Sequence, residues 1–393
     1  MKLAHLADLH LGFRQFERQT PRGGNQREAD VAEAFQRAAD DLIAQRPDLI
    51  VLAGDIFHSV RPTNPAILFF FKQLQRLRAA LPDAPIVMIA GNHDTPRSTE
   101  TGAILKLYEA LGVHVVVERA QRLEFPKLDC SVLAVPHQAL AGADRPALRP
   151  EGRGGATLNV LLLHGEVEGV IGPDRSAAEY GGVVLSRQDV SPALWDYVAL
   201  GHYHVANEVA ANARYAGSLE YVSTNPWAEL REETTKGVPG KGYWIVELPG
   251  ARATFRPIRG ARRLIDLPPV QGAGLTAQEI DRRIAQRVAD ADTPIDGQVV
   301  RLIVYDVSRA TARDLDHAAI RGFKARALNF QLDARRPEPH RTAASAAPGR
   351  RHTLVDAVEE FLGRRPLDAD LDRAEFVRLG LDYLERAGRT EPG

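Results

Sequence analysis

Nine polar residues stand where five short apolar runs end: Asp8 and His10, Asp55 and His58, Asn92 and His93, His164, then His202 and His204. Six of the twelve histidines lie in these five places. One such histidine would usually be a capped or solvated residue; nine polar groups on five loops call for a common purpose. In Asp8-Leu9-His10, residues two apart in an extended chain point the same way, so both can meet one cation. Carboxylate, imidazole and amide oxygen without thiolate suit Mn, Fe or Zn. The number of donors suggests two metals rather than one, sharing a bridging carboxylate and activating a water between them. Their charge would also stabilise charge developing on phosphorus, and a neighbouring histidine could protonate the leaving oxygen.

The elements that must hold these groups are legible as short strands. Asp48 to Ala53 is apolar and β-branched and ends in Gly-Asp-Ile-Phe-His at Gly54–His58, the pattern of a buried strand. Asp55 and His58 then emerge at its carboxyl end, where open α/β sheets place their sites. Leu3–Ala7, Pro85–Ala90, Leu158–Leu163 and Tyr197–Leu200 end the same way. Val113–Val117, Leu123–Phe125, Ser131–Val135, Tyr215–Leu219, Tyr243–Leu248 and Ala253–Ile258 continue the β pattern.

Between them, 27–46 repeats with helical period, its apolar face carrying Val31, Phe35, Ala38, Leu42 and Ile43. Arg14, Arg18, Arg22 and Arg27 read as exposed on a preceding loop. Asn64, with Pro65 next, reads as the N-cap of a helix running to Leu81. Its first turns hold Ile67, Leu68, Phe69, Phe70 and Phe71, and five consecutive positions wrap the whole helix. Either the helix is buried all round, or one side meets the core and the other a second copy of the chain. Residues 101–111 read as a helix and 141–156 as a loop.

Beyond Gly260 the composition changes. A helix opening at Thr276 and a strand over Val299–Val307 indicate a small α+β domain over 261–332. Residues 333–352, with Pro337, Pro339 and Pro348, read as a linker. Thr353–Gly363 and Asp372–Ala387 are amphipathic helices, too small to stand alone.

The chain has 393 residues, 44% hydrophobic and 26% charged, with a formal net charge of -1. It is long enough for two or three domains and is no bulk polycation, so any nucleic-acid contact depends on local patches. Arg252, Arg256, Arg259, Arg262 and Arg263 lie in a stretch without acids and form one candidate DNA-binding patch; a solvated surface is the competing reading. Arg321, Lys324 and Arg326 form a smaller cluster. The lone Cys130 excludes an intrachain disulfide. The first ten residues carry Lys2, His5, Asp8 and His10 instead of a signal-peptide core, and no apolar run approaches the roughly 18 residues of a membrane span. A cytoplasmic protein with no membrane attachment is expected.

The ordered blocks Asp-x-His, Gly-Asp-x-x-His, Gly-Asn-His-Asp, His and Gly-His-x-His, across 8–204, resemble those of the calcineurin-like metallophosphoesterases. Gly-Asp-Ile-Phe-His together with Gly-His-Tyr-His is similar to the SbcD branch of DNA double-strand-break repair nucleases. That resemblance implies an α/β, four-layer metallophosphoesterase sandwich over 1–260, a small capping domain over 261–332, a linker over 333–352 and a helical partner-binding segment over 353–393. It implies that Asp8, His10, Asp55 and His204 hold one metal, and that Asp55, Asn92, His164 and His202 hold the other, with Asp55 bridging. It implies manganese as the working metal, His93 acting on the leaving group and His58 positioning phosphate. It also implies DNA as substrate and a coiled-coil SbcC-type ATPase bound by the C-terminal helices, for which a dimer contact is the alternative. The same metal centre could instead serve small-molecule or phosphoprotein substrates. A non-catalytic scaffold would have shed ligands, and every motif position is filled.

Overall fold

The computed structural model describes residues 1–96, 102–142, 144–150, 157–170, 183–337, 353–365 and 372–388. It divides into two units, 1–336 and 337–393. The first unit's strands are β1 (Lys2–Leu6), β2 (Leu49–Leu52), β3 (Ile86–Ile89), β4 (His114–Val116), β5 (Gln121–Phe125), β6 (Cys130–Val135) and β7 (Leu158–His164). There follow β8 (Glu166–Val167), β9 (Val184–Leu185), β10 (Tyr197–Gly201), β11 (Asn207–Ala210), β12 (Ala213–Tyr215), β13 (Gly242–Glu247) and β14 (Arg252–Pro257). The last three are β15 (Leu264–Gln271), β16 (Val299–Tyr305) and β17 (Asn329–Ala334).

Among the described residues they form two six-stranded sheets, ordered β14-β13-β1-β2-β3-β4 and β11-β12-β10-β7-β6-β5. Alternation along β1 shows how the sheets are sandwiched. Leu3 joins Val51, Val87, Val132, Val160 and Ala199 in the core between the sheets. Ala4 and Leu6 face the other way, onto helices α1 (Gln26–Gln45) and α2 (Asn64–Ala80), against Phe35, Phe70 and Leu74. The outer face of the second sheet packs Leu161, Leu163 and Leu200 on Leu140, Val190 and Trp195. The central strands are covered on both faces, which explains their uninterrupted apolar runs. This is the layered α/β arrangement expected from the sequence.

Several local expectations change. Asn25 caps α1 by accepting from the Arg27 and Glu28 amides, and Arg27 is buried rather than exposed. Its guanidinium pairs with Asp30 at 3.1 Å and with Glu220 at 3.2 Å, across 193 positions of sequence. The cap of α2 is Thr63, one residue before the expected Asn64, with its hydroxyl accepting from Ala66. On α2, Phe70 is fully buried and Phe69 and Phe71 are partly buried against the core, while Leu68 is 58% exposed. The helix is therefore not buried all round. Tyr215–Leu219 is not a strand: β12 ends at Tyr215. The helix expected over 101–111 is a 3-10 helix at Ile104–Leu111; residue 101 is outside the described residues.

A third sheet, β15-β16-β17, is parallel. Helices α4 (Ala277–Ala289) and α5 (His317–Arg326) make its crossovers, and α4 begins with the expected Thr276 in a capping box with Glu279. Since β17 runs to Ala334, this sheet extends into the stretch read as linker. Most of that stretch, 338–352, and part of the 141–156 loop lie outside the described residues. Before α4 in the chain comes α3 (Pro226–Lys236). The second unit contains α6 (Leu354–Arg364), capped by Thr353 with Asp356, and α7 (Arg373–Gly388). Leu354, Val355, Phe361, Leu379 and Tyr383 are exposed there. No described helix is long and apolar enough to cross a membrane.

His5, on β1, ties the two sheets together. It is fully buried, with Nδ1 3.0 Å from the Tyr197 hydroxyl and Nε2 3.2 Å from the Leu200 carbonyl. Burial, against the pull of the Leu200 carbonyl, lowers its pKa from 6.5 to about 3. The unfolded chain therefore takes this proton at a higher pH than the folded one. The stability that neutral His5 contributes is intact above the unfolded value and drains as pH falls towards the folded one. Metal-free wild type should lose about 2–3 kcal/mol between pH 7 and 4.5 through this group. Urea unfolding at both pH values should show a smaller acid loss in His5→Gln, by about that amount.

Candidate metal centre

The five loops meet at one end of the sandwich because both sheets send parallel strands there. Asp8 and His10 follow β1, Asp55 and His58 follow β2, and Asn92 and His93 follow β3. His164 ends β7, and His202 and His204 follow β10. The backbone bends sharply at these points: φ is 52° at Asp8, 45° at His10, 52° at Asp55 and 106° at His202. Non-glycine residues avoid this region, at a cost of order 1–3 kcal/mol each, unless the surroundings dictate it. Here they do. Asp8 NH bonds the Gly54 carbonyl at 3.0 Å, and His10 NH bonds that of Asp55 at 2.9 Å. Two glycines permit the crowding. A Cβ on Gly91 would collide with the Asp55 carboxylate, and one on Gly201 with the Ala53 carbonyl.

Among the described residues, three groups have donor atoms within 4.8 Å of one another: Asp8, His10 and His204; Asp55, His164 and His202; and His10, His58 and His93. Asp55 stands between the first two. Its Oδ2 is 3.6 Å from His10 Nε2 and 3.4 Å from His164 Nε2, while its Oδ1 accepts the His93 amide at 2.9 Å. The Asn92 amide oxygen lies 2.9 Å from His164 Nε2 and 3.0 Å from His202 Nδ1. His10 and His204 face each other through Nε2 at 3.1 Å. His164 donates Nδ1–H to the Ala53 carbonyl at 2.7 Å, and its Nε2 faces Asp55. The Asp8 carboxylate accepts the His202 amide at 3.0 and 3.1 Å.

His58 and His93 sit to one side. Their rings stack at 5.2 Å and 25°, and both approach His10. His93 donates Nδ1–H to the His58 carbonyl at 2.8 Å, so its tautomer is set by the backbone of its neighbour.

The protonation states suit cation binding. Burial lowers His10 and His202 well below the usual imidazole range, keeping them neutral donors. Burial also lowers His58, to about 4, with His93 adding to the effect. Burial raises Asp8 to about 6. Burial alone would raise Asp55 too, but the charge of His164 and its hydrogen bond hold it well below the carboxylate range. Burial opposes a proton on His164, yet Asp55 and Asp8 outweigh it and raise this group to about 9. Two buried carboxylates thus demand positive charge at the site. Together with the all-oxygen-and-nitrogen donor set, this fits a pair of divalent cations.

A model described as calcineurin-like phosphoesterase matches residues 1–206, just over half the chain. The chain belongs to this family. Family members use a dinuclear metal site, in keeping with the two neighbouring groups. The chain is also similar to proteins called DNA double-strand break repair protein Mre11. That of Thermoplasma acidophilum is 26% identical over 264 residues, covering 65% of this chain and 64% of that protein. That of Sulfurisphaera tokodaii is 26% identical over 264 residues, covering 65% and 62%. That of Methanopyrus kandleri is 26% identical over 364 residues, covering 86% and 72%. The chain spans less than two thirds of the first two.

Every motif residue singled out in the sequence, from Asp8 to His204, lies in or beside this phosphoesterase centre. The arginine stretch is different, because three of its five members meet acids in space. Arg256 holds Asp41 at 2.7 and 3.0 Å, Arg262 holds Asp30 at 2.9 Å, and Arg252 pairs with Glu247. Arg263 bonds the Thr293 hydroxyl at 2.9 Å, and the Arg259 carbonyl accepts from Arg37. In the smaller cluster, Arg326 pairs with Asp296 at 2.7 Å.

Two supports went unassigned from sequence. Asp94 is buried and accepts the amides of Ile56, Phe57 and Gly91 at 3.0, 2.9 and 3.0 Å, tying the loops after β2 and β3 together. Its place in Gly-Asn-His-Asp was the available signal. The other is Glu229 on α3, which lies 3.4 Å from His204; no local pattern announces it.

Proposed function

We propose that the chain is a metal-dependent DNA nuclease, the nuclease subunit of an SbcCD-type repair complex. The observation that carries the chemistry is the position of Asp55 Oδ2 between His10 Nε2 and His164 Nε2. In this reading Asp8, His10, Asp55 and His204 hold one divalent ion. Asp55, Asn92, His164 and His202 hold the other, with manganese the favoured metal. Such a pair supplies charge to activate a water and to stabilise a phosphorane-like transition state.

The residues around the ions have separable tasks. Asp55 spans both groups and orients the His93 amide. His93, with Nδ1–H engaged by the His58 carbonyl, presents Nε2 as the ring atom that moves a proton at the leaving oxygen. His58 stacks on His93 and supports phosphate placement. The strained turns at Asp8, His10 and Asp55 hold the carboxylates and imidazoles together before any ligand arrives, so little reorganisation is left for binding.

DNA as substrate is supported by the names of the similar proteins and by His58 in the Gly-Asp-Ile-Phe-His block. In the same reading 1–260 is the nuclease domain, the three-stranded sheet within 261–332 is a cap, and 333–352 is a linker. The helices of 353–393, with exposed Phe361 and Leu379, are the segment that would dock a coiled-coil ATPase. Exposed Leu68 on α2 is consistent with pairing of two copies. Among the arginines, phosphate contact falls to Arg259 and Arg263 before the acid-bound Arg252, Arg256 and Arg262.

The test is digestion of linear duplex DNA by the purified chain with manganese, with and without the ATPase, beside turnover of nitrophenyl phosphate esters. Manganese-dependent loss of duplex is expected. Strong preference for a monoester, with DNA untouched even beside the ATPase, would instead favour a small-molecule or phosphoprotein phosphoesterase.

A further inference from the structure

Helix α3 carries a buried charged cluster that the proposed chemistry does not use. Glu229 and Lys241 are both enclosed, at 0% and 6% exposure. One oxygen of Glu229 lies 3.4 Å from His204 Nδ1, and the other takes the Lys241 ammonium. The same ammonium donates to the His204 carbonyl at 2.8 Å and pairs with Glu233 at 3.1 Å. Lys241 therefore grips His204 twice, directly at the backbone and through Glu229 at the ring. Burying three charges is costly, and apolar packing would hold a helix here as well. The cluster thus points to a requirement for geometry rather than for stability.

We propose that Glu229 is a positioning residue for His204, accepting its Nδ1–H so that Nε2 presents a lone pair towards Asp8 and His10. This rests on the reading that His204 holds a metal ion. A histidine that binds through one nitrogen usually has the other fixed by a carboxylate or carbonyl. His164 has the Ala53 carbonyl in that role; His204 has Glu229. The helix bearing Glu229 is itself anchored two residues earlier. Trp227 Nε1 donates to Gln331 at 3.1 Å, its ring lies 4.8 Å from the Arg301 guanidinium, and it packs on Val299 and Leu328. The three-stranded sheet therefore backs His204 as well.

The experiment is calorimetric titration of the metal-free full chain with manganese chloride, for wild type, Glu229→Leu, and Glu229→Leu with Lys241→Met. In the single variant Glu233 still matches the Lys241 ammonium, so a folded protein is expected, and the double variant also removes the grip on the His204 carbonyl. Near-ultraviolet circular dichroism checks the fold. Wild type should bind two ions. Both variants should bind one of them about 10–100-fold more weakly, with the other unchanged. Long-range proton–nitrogen spectra should show the His204 ring leaving its single Nδ1–H tautomer, a change that loosened packing alone would not give. Folded variants that bind both ions as wild type does, or that weaken both equally, overturn this role for Glu229. Wild type that takes up no manganese overturns the metal reading itself, and this one with it.

Discussion

Asp55→Ala should bind neither ion tightly and should lose at least about 10³-fold in phosphodiester turnover. Asp55 faces both His10 and His164, so its removal takes a donor from each group of side chains. It also removes the acceptor of the His93 amide, so the loop after β3 loses its register with the loop after β2. Charge adds to the effect. His164 keeps its proton because two carboxylates face it; with Asp55 gone, burial favours the neutral ring. Manganese titration of Asp55→Ala and Asp55→Asn separates these contributions. The asparagine retains an oxygen acceptor for His93 but not the charge, and should bind one ion weakly. An alanine variant that still bound one ion at wild-type affinity would remove Asp55 from the bridging position.

His93→Ala should do the opposite: bind both ions close to wild type, yet turn over about 10²–10⁴-fold more slowly. His93 touches the centre through its backbone, and that amide survives the substitution. What is lost is a ring held by the His58 carbonyl and stacked on the His58 imidazole. Parallel measurement of manganese affinity and turnover checks the split. A substrate with a much better leaving group should recover part of the loss, because it needs less help from a proton at the departing oxygen. Loss of both ions in His93→Ala would make it a metal ligand and not a proton carrier.

What could be read from the sequence depended on distance along the chain. The donors were visible because each ends a short apolar run, and strand ends in a parallel sheet gather by construction. Asn92 and His93 needed only β3 to be recognised. The burial of Arg27 could not be foreseen, because its partner Glu220 lies 193 positions away. Glu229 and Lys241 were equally opaque: neither α3 nor the turn after it carries a pattern of its own, and the histidine they hold follows β10. Helix α5 went unseen because only Ile320 of its residues is buried, too few to set a period. The arginines from 252 to 263 show the same limit. The stretch itself holds no acid, yet the fold brings Asp41 and Asp30 to two of them.

The place of β1 in its sheet has a consequence for biosynthesis. It carries the first two donors, yet it lies between β2 and β13, and its antiparallel partner is Gly242–Glu247. A ribosome delivers Asp8 and His10 first and the flanking strand more than two hundred residues later. Until then one edge of β1 is open and His204 has no Lys241 behind it. Domains tend to fold as units during synthesis, and pairings this remote are slow. The topology thus places β13, the strand that flanks β1, far behind the donors in the order of synthesis.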